Sequence, residues 1–361
     1  MIELIDRLAE KRSLHIEEYI KLISYFSPYT LAYAAARADG VRRKIYGNEV
    51  FVRGLIEVSN YCKNDCYYCG IRRSNDKCQR YRLSDGEILE CCDEGYALGF
   101  RTFVLQGGED AQFGDDRLCS LIAEIKRRYP DTAITLSLGE RGQESYRRLR
   151  EAGADRYLLR HETCSAEHYA FLHPAEQSFA YRMECLMNLK SLGFQVGCGF
   201  MVGSPHQTVE NLAEELKFIE AFKPDMCGIG PFIPHKDTPF KGEVGGDAEL
   251  TCFLLSLIRL IHPSVLLPAT TALGTISVDG RKMGIRAGAN VIMPNLSPKS
   301  VRKKYELYDN KVSDGEEAAE CIASLKAAMD SIGYKVVTDR GDVRIGPDGK
   351  FNKQFAGEFN K

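Results

Sequence analysis

Eight short apolar runs recur along the chain, each separated from the next by a stretch with helical spacing. They are "FVRGLIEVS" (51–59), "RTFVLQ" (101–106), "TAITLSL" (132–138), "DRYLLR" (155–160), "FQVGCGFMV" (194–202), "DMCGIG" (225–230), "VLLPATT" (265–271) and "ANVIMP" (289–294). Runs of this length, rich in Val, Ile, Leu and aromatics and mostly ended by Gly, Pro or polar residues, read as buried strands. Between them, "DRLCSLIAEIKRRY", "YRMECLMNLKSL", "VENLAEELKFIEAF" and "AELTCFLLSLIRLI" place apolar residues three and four apart, the pattern of a helix with one buried stripe. Ser84 and Glu87 form a capping box that opens one such helix. Strands alternating with helices pair in parallel through right-handed crossovers. Eight units predict an α/β protein with a (β/α)8 TIM-type barrel, and an open doubly wound sheet is the alternative.

The expected organisation is an N-terminal helical extension over 1–48, a barrel over 49–312, and a C-terminal helix with a tail over 313–361. Ser313 and Glu316 would cap the last helix, and Pro347-Asp348-Gly349 would turn a small hairpin. With 361 residues, 44% of them hydrophobic, the chain can bury a large core, and a formal charge of −2 gives no electrostatic reason to expect nucleic acid or an anionic membrane. No apolar run approaches the ~20 residues that cross a bilayer. Thirteen cysteines, an odd count, fit free thiols in a reducing compartment, so a cytoplasmic location is expected.

Three of those cysteines lie within "NYCKNDCYYCGIRR" (60–73), directly after the first strand. In a barrel, functional groups come from loops at the C-terminal ends of strands. Cys62, Cys66 and Cys69 can converge as soft ligands for zinc, copper(I) or an iron–sulfur cluster. Structural zinc wants a fourth thiol or imidazole, and the next cysteine, Cys78, makes no second C-x-x-C. A 4Fe–4S cluster on three cysteines leaves one iron open to substrate.

The spacing C-x3-C-x2-C resembles that of the radical S-adenosylmethionine (SAM) superfamily, with Tyr68 as the aromatic before the last cysteine. In that superfamily the open iron chelates SAM, and one electron releases a 5′-deoxyadenosyl radical. "LQGGED" (105–110) resembles the superfamily's Gly-Gly-Glu element, which implies that Gly107, Gly108 and Glu109 receive the methionine amino group. "LSLGE" (136–140), "RYLLRHET" (156–163), "GIGPFIPH" (228–235), "PATTALGT" (268–275) and "GANVIMPN" (288–295) resemble the HydE family of FeFe-hydrogenase maturases. The resemblance implies SAM contacts for Glu162, Arg182, Met201 and Ile229. It implies a polar internal cavity lined by Gln106, Thr135, Ser137, Arg156, Arg160, Thr270, Thr271, Tyr305 and Tyr308. The implied substrate is a small organometallic iron–cysteine complex, whose cysteine sulfur the radical attacks. The implied partners are the maturases HydG and HydF and an electron donor such as ferredoxin or flavodoxin. Relatives often hold an accessory cluster on three more cysteines. Here Cys321 remains, but Ser313 and Ser324 stand in the other positions, so a single 4Fe–4S cluster is expected. Alternatives are an enzyme resembling methylornithine synthase or biotin synthase, or an iron–sulfur scaffold that is no enzyme.

Overall fold

The computed structural model describes residues 1–312 and 319–344. Three helices open the chain: α1 (Ile2–Lys11), α2 (Ile16–Ser24) and α3 (Pro28–Tyr46). The start of α3 is fixed by Ser27, whose hydroxyl accepts from the Thr30 N–H, and by Pro28, whose missing N–H costs nothing in a first turn. It packs on the helix Ala248–Ile261, in which every residue from Thr251 onward is buried. A helix apolar on all sides needs such a second layer over it.

The strands are β1 (Glu49–Val52), β2 (Gly54–Ser59), β3 (Thr102–Gly107), β4 (Ala133–Ser137), β5 (Arg156–Leu158) and β6 (Gln195–Cys198). They continue with β7 (Met201–Val202), β8 (Met226–Cys227), β9 (Gly230–Pro231), β10 (Val291–Ile292) and β11 (Lys335–Val337). A parallel six-stranded sheet runs in the order β2-β3-β4-β5-β6-β8, the core of an α/β partial barrel. Single parallel bridges continue the contacts, from Met226 to Leu266, from Pro268 to Val291 and from Leu55 to Asn295. Along each strand one set of side chains, including Ile56, Val58, Phe103, Leu105, Ile134, Leu136, Tyr157 and Val196, is buried in the apolar core. The alternate set carries polar residues among apolar ones: Glu57, Gln106 and Ser137 stand in one register row, and Thr135, Arg156 and Gln195 continue another from Leu55 and Val104.

Several expected strands are interrupted for identifiable reasons. The run 51–59 divides at Arg53 into β1 and β2, and the runs 194–202 and 225–230 each divide in two. Gly199 and Gly228 cross there so closely that a Cβ on Gly199 would stand 2.0 Å from the Gly228 carbonyl oxygen. The run 265–271 makes only the single bridges. Pro268 has no N–H to give, and Thr270 is already the N-cap of a short helix, Thr271–Ile276. The start of the tail forms β11, which joins β1 in parallel as an extra strand. Ser313, Glu316 and the Pro347-Asp348-Gly349 turn lie outside the described residues.

Candidate functional site

The cysteine loop leaves the C-terminal end of β2 and is held from within. Arg80 donates to four main-chain carbonyls: Asn60 (2.5 Å), Ile71 (2.8 Å), Arg72 (2.6 Å) and Asn75 (3.1 Å). Asn60 donates from its amide to the carbonyls of Gln79 and Lys304 and accepts from the Tyr81 N–H. Asp65 takes both arms of Arg72 and the Ser74 hydroxyl. Side chains that serve carbonyls so densely fix a loop that has no ladder of its own. None of these three residues was singled out from the sequence, since a loop-wrapping Arg or Asn leaves no periodic signal.

Burial pushes the Cys66 thiol up to about 11 and raises Cys62 and Cys69 as well. Cys62 raises Cys66, and both raise Cys69, so the three share one neighbourhood, and each would have to lose its proton to bind metal. The sulfurs already have N–H groups aimed at them: the main-chain N–H of Glu109 lies 3.4 Å from the Cys62 sulfur, and Asn64 and Ile71 serve Cys62 and Cys69. Donors at sulfur suit thiolates bound to iron.

Gly107 ends β3, and the Gly-Gly-Glu segment lies directly against the cysteine loop. A Cβ on Gly108 would stand 2.2 Å from the Tyr61 carbonyl oxygen, so the approach is possible only for glycine. The Lys63 N–H donates to the Glu109 carbonyl at 3.0 Å, and the Glu109 carboxylate accepts from the Glu140 N–H at 3.0 Å.

The β5 end supplies the next group. Glu162 sits at φ 66°, a left-handed conformation that a non-glycine residue adopts only under constraint. The constraint is main-chain bonding to Gly199 and Met201, while its carboxylate meets Arg160 at 3.1 Å. Behind it, the fully buried His161 pairs with Glu215 at 2.7 Å. Arg182 donates to Glu140 at 2.5 Å and to the Arg160 carbonyl at 2.7 Å. Tyr68 and Met201 pack in one apolar group with Leu172 and Phe232, and Ile229 is fully buried. The Tyr68 hydroxyl lies 3.2 Å from His173 Nε2. Because His173 Nδ1 faces the Tyr169 carbonyl at 3.0 Å, Nδ1 carries the proton and Tyr68 is the donor. Burial holds that imidazole at about 3, so it is neutral.

Deeper in the sheet interior, Gln106 reaches Tyr305, and Tyr308 bonds Thr275. The hydroxyls of Thr135 and Thr270 are buried without a partner among the described residues. Thr271 follows as the first residue of its helix, and Ser137 neighbours Gln106 in register. Glu57, absent from the sequence-based expectations, is fully buried beside Gln106, where it pairs with Lys311 and accepts from Asn295 at 2.9 Å.

Arg156 does not join this group. It begins β5, at the N-terminal end of the sheet and away from the cysteine loop. There it donates to Gln195 (2.9 Å), Thr102 (3.0 Å), the Arg340 carbonyl (2.8 Å) and Asp342 (2.6 Å). Its donors are spent on Gln195, Thr102 and the tail, so the structure does not bring it together with the other expected cavity residues. Arg160 is the arginine at the other end of the strand.

The Radical SAM superfamily model matches residues 56–219. The [FeFe] hydrogenase maturase subunit HydE of Thermotoga maritima is 45% identical over 84% of this chain and 86% of its own. The 3-methylornithine synthase of Methanosarcina barkeri is 30% identical over 91% of this chain and 92% of its own. Among solved structures, methylornithine synthase (PylB) superposes with a TM-score of 0.82 at 29% identity, covering 92% of this chain and 97% of that one.

Proposed function

The chain belongs to the radical SAM superfamily, as an enzyme homologous to HydE, and on that premise we propose that it acts in assembling the active-site cluster of an FeFe hydrogenase. The observation that carries the reading is the Gly-Gly-Glu segment seated on the cysteine loop, Gly108 without room for a Cβ and the Glu109 N–H on the Cys62 sulfur. Cys62, Cys66 and Cys69 would hold one 4Fe–4S cluster. Tyr68, Gly107, Gly108, Glu109, Glu162, Arg182, Met201 and Ile229 would bind SAM. Together the two cofactors supply a 5′-deoxyadenosyl radical when an electron is delivered.

The barrel, taken as eight-stranded and closed through the single bridges at 266, 268 and 295, encloses the substrate chamber. Gln106, Thr135, Ser137, Arg160, Thr270, Thr271, Tyr305 and Tyr308 would line it. The hydroxyls of Thr135 and Thr270, buried and without partners among the described residues, favour a polar ligand there, since an unpaired buried hydroxyl costs about 1–3 kcal/mol. Arg160 favours an anionic one. An iron–cysteine complex bearing cyanide and carbonyl groups meets both demands, with HydG as its source, HydF as the acceptor, and ferredoxin or flavodoxin as the electron donor. A cytoplasmic location suits this chemistry.

The test is co-expression with the other maturases and the apo-hydrogenase: hydrogen evolution should depend on this chain and be lost in Cys62→Ala. Reconstitution should give close to four irons per chain, and about eight would refute the single cluster. A second reading, methylornithine synthesis, is favoured by the Methanosarcina relative. Formation of 3-methylornithine without any effect on hydrogenase maturation would select it.

A further inference from the structure

The end of the helix Ala166–Leu172 and the loop after it lie along the middle of the cysteine loop and touch three consecutive residues of it. The Tyr67 N–H donates to the Leu172 carbonyl at 3.0 Å, Tyr68 donates to His173, and the Cys66 sulfur lies 3.4 Å from Gln177 Oε1. The first two contacts fix the backbone and the ring between the ligands. The third reaches a metal ligand itself.

The three sulfurs are served differently. Cys62 receives main-chain N–H groups from Asn64 and Glu109, and Cys69 receives one from Ile71. At Cys66 the neighbours are side chains, the Tyr68 hydroxyl and the amide of Gln177, whose own backbone is pinned by a 3.0 Å bond to the Pro174 carbonyl. In the metal-free chain the thiol donates to Oε1. An iron-bound thiolate has no proton to give and can only accept. Gln177 Nε2 is buried and has no partner among the described residues, so a half-turn of the amide places an N–H on the sulfur with nothing else broken.

We propose that Gln177 is a positioning residue for the cluster, donating a hydrogen bond to the Cys66 sulfur and thereby raising the cluster's reduction potential. The reduced cluster carries one more negative charge than the oxidised one, so a donor at sulfur stabilises it more. Hydrogen bonds to sulfur and solvent exposure are among the levers that set such potentials. The inference rests on the cluster assignment made above and adds a residue outside the cysteine motif to it.

The test is a redox titration of the reconstituted cluster, followed by visible absorbance and electron paramagnetic resonance, without substrate. Gln177→Leu removes the donor, and Gln177→Glu keeps the shape while replacing the donor with an anion. Both should retain full iron and sulfide and titrate at a lower potential. At a fixed solution potential the reduced-to-oxidised ratio should fall about tenfold, ~59 mV for one electron. An unchanged or raised potential in either loaded variant would overturn the proposal. Failure of both variants to take up iron would assign Gln177 to loop folding and overturn it equally. If the parent chain itself takes up no cluster, the assignment beneath it fails instead.

Discussion

Replacing Gly108 by alanine tests how the site is built. The added Cβ would lie 2.2 Å from the Tyr61 carbonyl oxygen, 2.9 Å from the Tyr61 carbonyl carbon and 2.8 Å from the Cys62 Cβ, where ordinary contact begins at 3.4 Å. Two of the three atoms are backbone, so no side-chain rotation relieves the clash, and one segment must move by roughly 1 Å. Overpacking of this kind costs about 1–3 kcal/mol. On one side of the strain is the 3.0 Å bond from the Gly108 N–H to the Ser59 carbonyl, and on the other the 3.4 Å bond from the Glu109 N–H to Cys62. Relief therefore separates the Gly-Gly-Glu segment from the cysteine loop. If the whole cost falls on the cofactor site, SAM affinity of the reconstituted protein drops by ~5- to 150-fold. Equilibrium binding measures it, with Gly86→Ala as control. Gly86 lies exposed in a helix first turn with only Ser84 Oγ nearby, so that variant should bind normally and be stabilised by up to about 1 kcal/mol. SAM affinity of Gly108→Ala within twofold of the parent would refute the argument.

Thr135→Val removes a buried hydroxyl that has no partner among the described residues. The ligand-free protein should melt at the same temperature or higher, while substrate turnover falls; a marked loss of stability would show that the hydroxyl is already paired. Asp342, beside Arg156, is held at about 2 although burial alone would raise it. Its depressed value means that its contribution to stability is present above about 4 and lost as pH falls toward 2. Asp342 is 39% exposed, so screening keeps the effect modest, and Asp342→Asn should flatten acid unfolding across that window without changing SAM cleavage.

Much of the site was legible because its parts are local in sequence. The cysteine spacing, the two glycines after β3 and the strand periodicity each depend on a handful of neighbouring residues. Arg156 shows what such reading lacks. Its strand face follows from alternation, and it does share a register row with Thr135 and Gln195. Its depth along the strand, and the Asp342 that meets it, are set by a tail almost two hundred residues away, as the 186-residue separation of that bond records. Glu57 was missed for a related reason. One glutamate inside an apolar run looks like an exposed strand position until Lys311 comes back to pair with it. The seventh run keeps only single bridges, because Pro268 gives no N–H and Thr270 already caps a helix, and neither effect shows in its apolar content.

The pairing of β1 with β11 has a consequence for how the protein is made. β1 (Glu49–Val52) is made long before its neighbour β11 (Lys335–Val337), the last of the described strands. The cysteine loop also waits for late residues, since Gly70 donates to the Leu307 carbonyl and Asn60 to that of Lys304. Contacts this distant in sequence form slowly. The surroundings of the cysteine loop thus stay unfinished until residues 304 and 307 have been made: a nascent chain carries all three cysteines long before it has the carbonyls that hold Asn60 and Gly70 in place.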